Sequence, residues 1–333
     1  MTVVAEQAPI VTKSRMNSRF LVRLLIRLGA FLTFGGIMVY FAMTARGFTS
    51  PFNILNVIEQ SAILCFLAYA MTIVFIGTGT DVQRGGIDLS VAANAGLCAA
   101  IYVVLLNQGY GDVIALLAAI GTGLAVGFLN GFAIVSLRIM PLLGTLAVMN
   151  IAAGLELTIT QNTVISATSP LLDVLSSGRF LGVSSLAWCL LVASALLIWI
   201  VHFSSLGLRL YAVGGHIEAA RAAGISTGRY IYGSYIFSGL MASLAAILIV
   251  TRLSSSTPGT GLMLLPALAA ALLGTVFSRR FIPTIGGTLL AALFIGFLAN
   301  GFQLLGVSSY WVSGVQGVLI LLVVAVTSFA KKS

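Results

Sequence analysis

Ten apolar runs, most of them close to 20 residues long, leave this chain few ways to fold. They fall at about 28–45, 57–78, 87–106, 112–136, 141–160, 184–203, 230–252, 262–278, 283–303 and 310–330. A helix rising ~1.5 Å per residue needs about 20 residues to cross ~30 Å of hydrocarbon, so runs of this length suit a bilayer. Lipid offers the backbone no hydrogen bonds, which restricts spanning segments to helices and closed barrels. Barrel strands alternate apolar and polar residues, whereas these runs are continuous, and that selects helices. The chain of 333 residues is 59% hydrophobic and only 8% charged, with a mean hydropathy of +1.11. The expected fold is therefore an all-α membrane protein of about ten transmembrane helices. One polytopic domain covers 28–330, between a basic tail at 1–27 and a short tail at 331–333.

Charge tests the span count. With the N-terminus in the cytoplasm and the sides alternating, the inner segments hold Lys13, Arg15, Arg19, Arg23, Arg27, Arg84, Arg138, Arg209, Arg221, Arg229, Arg279, Arg280, Lys331 and Lys332. The outer segments hold Arg46, Arg179 and Arg252. This is the positive-inside pattern of a plasma-membrane protein, and one miscounted span would scramble it. Both termini are expected inside. The net charge of +9 then reflects orientation and lipid, with no need to invoke nucleic acid. The basic N-terminal stretch and the run after it read as an uncleaved first span. Cys65, Cys98 and Cys189 lie in apolar runs, as small buried hydrophobes do, and His202 and His216 are too few and too far apart for a metal site.

Two connections are long: an outer one from Gln161 to Val183 and an inner one over 204–229. Spans one to five and six to ten would enter the membrane from opposite sides, which suggests an inverted repeat, a device common in transporters. The sequence "RGGIDLSV" (84–91) interrupts the second and third runs. Two readings stand. Asp88 caps the next helix and meets the positive end of its dipole, or the interruption is a broken-helix element beside a solute pathway.

The inner connection contains "GGHIEAARAAGIS" (214–226). Glycines bracket an alanine-rich segment with good helix propensity. Glu218 near its start and Arg221 one turn on suit the helix dipole. A short helix between two flexible ends is expected, able to serve as a docking peg for a cytoplasmic partner.

Glu218, Ala219, Ala220 and Gly224 match the E-A-A-x-x-x-G loop of bacterial ABC importer permeases, at the place where that family carries its coupling helix. The resemblance narrows to ribose-type sugar permeases. "GGIDLSV" (Gly85, Gly86, Asp88 and Ser90 among its residues), "GFLNGFAIVSLRIMPLLGTL" (127–146) and "LANGFQLLGVSSYW" (298–311) resemble segments of that group, and the similarity runs from about residue 50 onward. The chain departs from the group in "GTGTDVQR" before Gly85, in Ala92 after "DLSV", in the absence of an acidic residue near Leu265, and in Arg279–Arg280 where a glycine-rich turn is usual.

The resemblance implies an inner-membrane permease subunit of an ATP-binding-cassette importer for a sugar or sugar-like solute. It also implies a second permease chain, identical or paralogous, an ATPase subunit and a periplasmic sugar-binding protein. The chain has no G-x-x-x-x-G-K-[ST] phosphate loop, so ATP and magnesium are expected at the partner and no cofactor on this chain. Coupling is expected through Gly215, Glu218, Ala219, Ala220, Arg221 and Gly224. A competing class, the ion-coupled secondary transporter, would use membrane-embedded carboxylates, for which Asp88, Glu156 and Glu59 are the candidates; a passive channel is a third.

Neutral polyols call for amides, hydroxyls and an occasional carboxylate. The pathway candidates are accordingly Asp88, Asn94, Asn130, Thr145, Asn150, Glu156, Asn300 and Gln303. Each can equally serve helix-to-helix packing, where such hydrogen bonds contribute roughly 0.6 kcal/mol.

Overall fold

The computed structural model describes residues 13–79, 86–278, 280–308, 311, 314–315 and 317–318, with side chains from residue 28 onward. Its helices are α1 (Lys13–Thr44), α2 (Pro51–Thr78), α3 (Val91–Asn107), α4 (Asp112–Gly131), α5 (Pro141–Thr160), α6 (Pro170–Ser177), α7 (Ser185–Phe203), α8 (Ser205–Gly215), α9 (Ile217–Ala222), α10 (Thr227–Leu253), α11 (Leu264–Phe277) and α12 (Ile285–Leu304). Seven segments among the described residues are long and apolar enough to cross a membrane: α2, α4 with a π-helical continuation to Ser136, α5, α7, α10, α11 with a preceding 3-10 turn, and α12. Two shorter apolar helices, Leu28–Thr44 within α1 and α3, occupy the expected first and third runs. The protein is a multi-pass membrane protein, helical apart from four two-residue strands among the described residues. The expected tenth run, 310–330, falls almost wholly outside the described residues.

The bundle is built around α2 and α10. Their apolar windows are 89% and 67% buried, against 28–33% for α4, α5 and α7. A helix that is apolar on every face needs protein on every face to be useful as core. Accordingly α10 packs on α4, α2 and α3, while α2 also takes α12, α11, α8 and α7. Between spans there is no hydrophobic gain over lipid, so close approach through small residues does the work. The α4–α10 contact shows this best. A Cβ placed on Gly123 would sit 2.5 Å from the Gly239 carbonyl oxygen, and one on Gly239 would run into Gly123's backbone. Gly127 meets the backbone of Tyr235 and Ile236 in the same way. Polar seams add to the packing: Thr72 with Thr288 at 2.7 Å, Tyr69 with Ser194 at 2.7 Å, and a reciprocal amide pair between Asn53 and Asn300 at 2.8 and 3.1 Å.

The connections sort onto two ends. At one, β1 (Ile165–Ser166) pairs antiparallel with β4 (Ser255–Ser256), Asn107 donates to the Ser166 carbonyl, Asp112 accepts from Leu171 N–H, and Arg252 reaches Asn56 and Glu59 on α2. The long connection from Gln161 to Val183 also folds there, into α6 and a small hairpin of β2 (Arg179–Phe180) with β3 (Val183–Ser184). At the other end, Gly79 touches Gly214, Tyr211 donates to the Pro283 carbonyl at 2.8 Å, and Arg209 faces Tyr230. Burial pushes the Tyr211 phenol up to about 12.

Candidate functional site

The interruption between α2 and α3 is the centre of the polar interior. Gly79, at φ +89°, ends α2 with its N–H on the Phe75 carbonyl, a conformation glycine adopts without Cβ strain. Gly86 returns the chain, its N–H donating to Thr78 Oγ1 at 2.8 Å. A side chain at Gly86 would strike the Tyr235 hydroxyl and Thr78 Oγ1, so the crowding calls for glycine. Gly85 lies outside the described residues.

Asp88, 2% exposed, then receives donors from three directions. Its Oδ1 accepts from Ser90 N–H at 3.0 Å, Ser90 Oγ at 2.6 Å and Asn130 Nδ2 at 3.2 Å, while Oδ2 accepts from Ser238 Oγ at 2.6 Å. Asn130 also donates to Ser90 Oγ at 2.7 Å. Thr145 on α5 donates to the Ile87 carbonyl at 3.0 Å. The cluster therefore joins the irregular segment to α4, α5 and α10.

This corrects the simple capping reading. Helix α3 starts at Val91, with Ser90 as its N-cap and no side-chain cap bond. Asp88 sits two residues before the cap and takes only the Ser90 N–H, in the manner of an Asx turn. Half of its bonding is tertiary, to Asn130 on α4 and Ser238 on α10. Sequence reasoning missed Ser238 and Tyr235 on α10. The only signal for Ser238 was its spacing of four from Ser234, immediately before Gly239. Two atoms of the cluster, Asn130 Oδ1 and Tyr235 Oη, are buried without a hydrogen-bond partner among the described residues.

The remaining pathway candidates scatter. Asn94 bonds the Gly123 carbonyl at 3.3 Å and receives the Cys98 thiol, on the α3–α4 seam. Asn300 pairs with Asn53, which sequence reasoning also passed over, on the α2–α12 seam. Glu156 is 3% exposed. Its carboxylate lies over Gly96 of α3, where a Cβ would come within 2.5–2.7 Å, and Oε1 has no partner among the described residues. Asn150 and Gln303 are exposed. Asn150 shares an exposed stripe of α5 with Gly154 and Thr158; Asn150 and Thr158 each bond the carbonyl four residues back.

The 204–229 connection is more ordered than the expected single helix between flexible ends. It forms α8, then α9, and reaches α10 through a short turn over 223–226. Gly215 closes α8 rather than opening α9; His216 is the N-cap of α9, its Nδ1 accepting from Ala219 N–H at 3.2 Å. Glu218 and Arg221 pair across one turn at 3.4 Å, both largely solvent-exposed. Ala220 is buried, and Gly224, at φ +79°, supplies the left-handed turn after the helix. The result is a one-turn charged peg fixed between two helices.

A family model described as "Branched-chain amino acid transport system / permease component" matches residues 53–324. The ribose import permease protein RbsC of Bacillus subtilis strain 168 is 34% identical over 301 residues, covering 90% of this chain and 91% of that protein. RbsC of Escherichia coli K12 is also 34% identical, over 82% of this chain and 85% of its own length. The autoinducer 2 import system permease protein LsrC of Salmonella paratyphi B is 30% identical over 80% and 75% of the two chains.

Proposed function

We infer, from the fact that the chain belongs to the family of branched-chain amino acid transport system permease components, that it is the membrane-spanning permease subunit of an ATP-binding-cassette importer for a sugar or sugar-like solute. The observation that carries the substrate class is the near end-to-end similarity to a ribose import permease. The family description names amino acids, but the relatives named for their cargo import ribose and autoinducer 2.

In this reading the chain catalyses no reaction and holds no cofactor. ATP and magnesium act on an ATPase subunit that docks on the Glu218–Arg221 peg, and a periplasmic binding protein delivers the solute. The chain sits in a bacterial inner membrane, with about ten spans, both termini inside and an inverted relation between its halves. The gathering of Arg138, Arg209, Arg221, Arg229 and Arg280 toward the α9 end supports that orientation.

A second permease chain covers the exposed face of α5. Lipid would leave the Asn150 amide oxygen unsatisfied there, and polar spanning residues ordinarily face protein or water. The solute path then runs along this face, with Asn150 and Thr158 as its hydrogen-bonding surface and Glu156 behind it. Asp88, Asn130 and Thr145 hold the helices that border it.

The test is uptake of radiolabelled ribose, other pentoses, hexoses, autoinducer 2 and leucine in a strain lacking this chain. A selective loss of one sugar-like solute, restored by the intact gene, is expected. Loss of leucine uptake alone would overturn the substrate class.

A further inference from the structure

A cavity of about 610 Å³ between α2, α7, α8 and α10 has no part in the pathway or the peg. Its depth is apolar: Leu197, Val201 and Leu210 are buried there, with Phe237 half-buried beside them. Its mouth carries Arg209 and Arg229, both exposed, with Arg209 donating to the Tyr230 hydroxyl at 3.5 Å. Among the described residues the ion pairs are Arg221–Glu218 and Arg252–Glu59, so neither mouth arginine has a carboxylate within 4.0 Å. Two guanidinium groups with no carboxylate partner among the described residues thus sit over a greasy cleft at the boundary of the spans.

We propose that this cleft holds an anionic phospholipid of the cytoplasmic leaflet, its phosphate between Arg209 and Arg229 and an acyl chain in the apolar depth. A soluble anion would gain nothing from the lining, and a zwitterionic or neutral lipid would gain little from the arginines. Guanidinium forks match phosphate oxygens, and basic pockets between spanning helices suit acidic headgroups. The volume lies within the roughly 300–1,000 Å³ range of ligand pockets. Because α8 and α10 flank α9, the lipid braces the peg from both sides. The leaflet assignment rests on the orientation proposed above; the binding chemistry does not.

The experiment uses the full chain in phosphatidylcholine nanodiscs, titrated with fluorescent phosphatidylglycerol, with retained lipid counted by native mass spectrometry. Wild type is expected to retain phosphatidylglycerol in preference to phosphatidylcholine, undisturbed by a large excess of inorganic phosphate. R209A/R229A should weaken the site on the order of 25-fold, about fivefold per arginine, while R209K/R229K, which keeps the charge and loses the fork, should fall between the two. Equal retention of both lipids, or unchanged affinity in R209A/R229A, overturns the proposal. Displacement by inorganic phosphate would make this a soluble-anion site instead. Unchanged lipid retention with lost ATPase-subunit assembly would make the arginines a protein-docking surface. Orientation is read separately: Ser205→Cys, in a Cys189→Ser background, should react with an impermeant maleimide only in inverted vesicles. Labelling from outside would remove the leaflet assignment and the proposed orientation together, leaving the lipid result standing.

Discussion

Replacing Asp88 by alanine and by asparagine should separate sharply, and the difference follows from counting donors. The carboxylate oxygens accept from Ser90 N–H, Ser90 Oγ, Asn130 Nδ2 and Ser238 Oγ. In Asp88→Ala, Ser238 can rotate onto the Ser234 carbonyl one turn back. Ser90 N–H, one Asn130 N–H and the Ser90 hydroxyl cannot all be rescued. At ~1–3 kcal/mol for each of these three stranded buried groups, the loss is about 3–9 kcal/mol. In Asp88→Asn, the amide oxygen keeps the Ser90 and Asn130 donors, and the new NH₂ faces Ser238 Oγ, which can accept. Charge assistance is lost, but so is the cost of burying a charge, leaving a net deficit of ~1 kcal/mol. At about 2 °C per kcal/mol for a chain of this size, Asp88→Ala should lower the melting temperature by about 6–18 °C and Asp88→Asn by about 2 °C. Fluorescence-detected size exclusion of heated, detergent-solubilised GFP fusions reads both. Equal losses for the two variants would refute the donor count. Near-native stability of Asp88→Asn with abolished uptake would give the carboxylate a role in solute passage beyond holding helices together.

Other perturbations have equally definite expectations. Gly239→Ala drives a methyl into the Gly123–Gly127 backbone, which has no side chain to yield, so a loss of about 1–3 kcal/mol and poor membrane yield are expected; normal yield and melting would break the α4–α10 contact. Asn53→Leu or Asn300→Leu alone strands a buried amide, at ~1–3 kcal/mol, whereas the double substitution should recover most of that loss; additive losses in melting temperature would dissolve the pair. Glu218→Lys and Gly224→Val should each abolish uptake while leaving membrane insertion intact, and normal transport would remove α9 from energy coupling. Reporter fusions at Gly109 and Ser256 should face outward and those at His216 and Lys332 inward; a reversed result at any of them breaks the proposed topology.

The spans were legible because the bilayer imposes a length and a composition on each one separately. The seven long helices fall on runs visible as unbroken hydrophobicity. The peg was legible for a similar reason, since Glu218, Arg221 and Gly224 act within a few residues of one another. Tertiary pairings were not. Nothing local links Ser238 to Asp88 across 150 positions, or Asn53 to Asn300 across 247. A buried asparagine reads the same whether it meets solute, water or another asparagine. Glycine hid its use too: Gly123 and Gly239 do nothing on their own helices and matter only where the two backbones touch.

That contact gives the molecule a fulcrum. Helix α10 follows α9 without a hinge helix between them and runs 27 residues to the opposite end, where Arg252 grips α2. Gly239 lies near its midpoint, pressed backbone to backbone on α4 with no side chain to compress. A rod of that length is roughly 40 Å, so tilting it by about 10° about Gly239 swings the α9 end by ~3 Å and the far end by a similar distance the other way. Were α10 to tilt in the proposed importer, the glycine that permits the helices to touch would set its pivot, and Ser238, one residue away, would keep the Asp88 cluster almost at the still point.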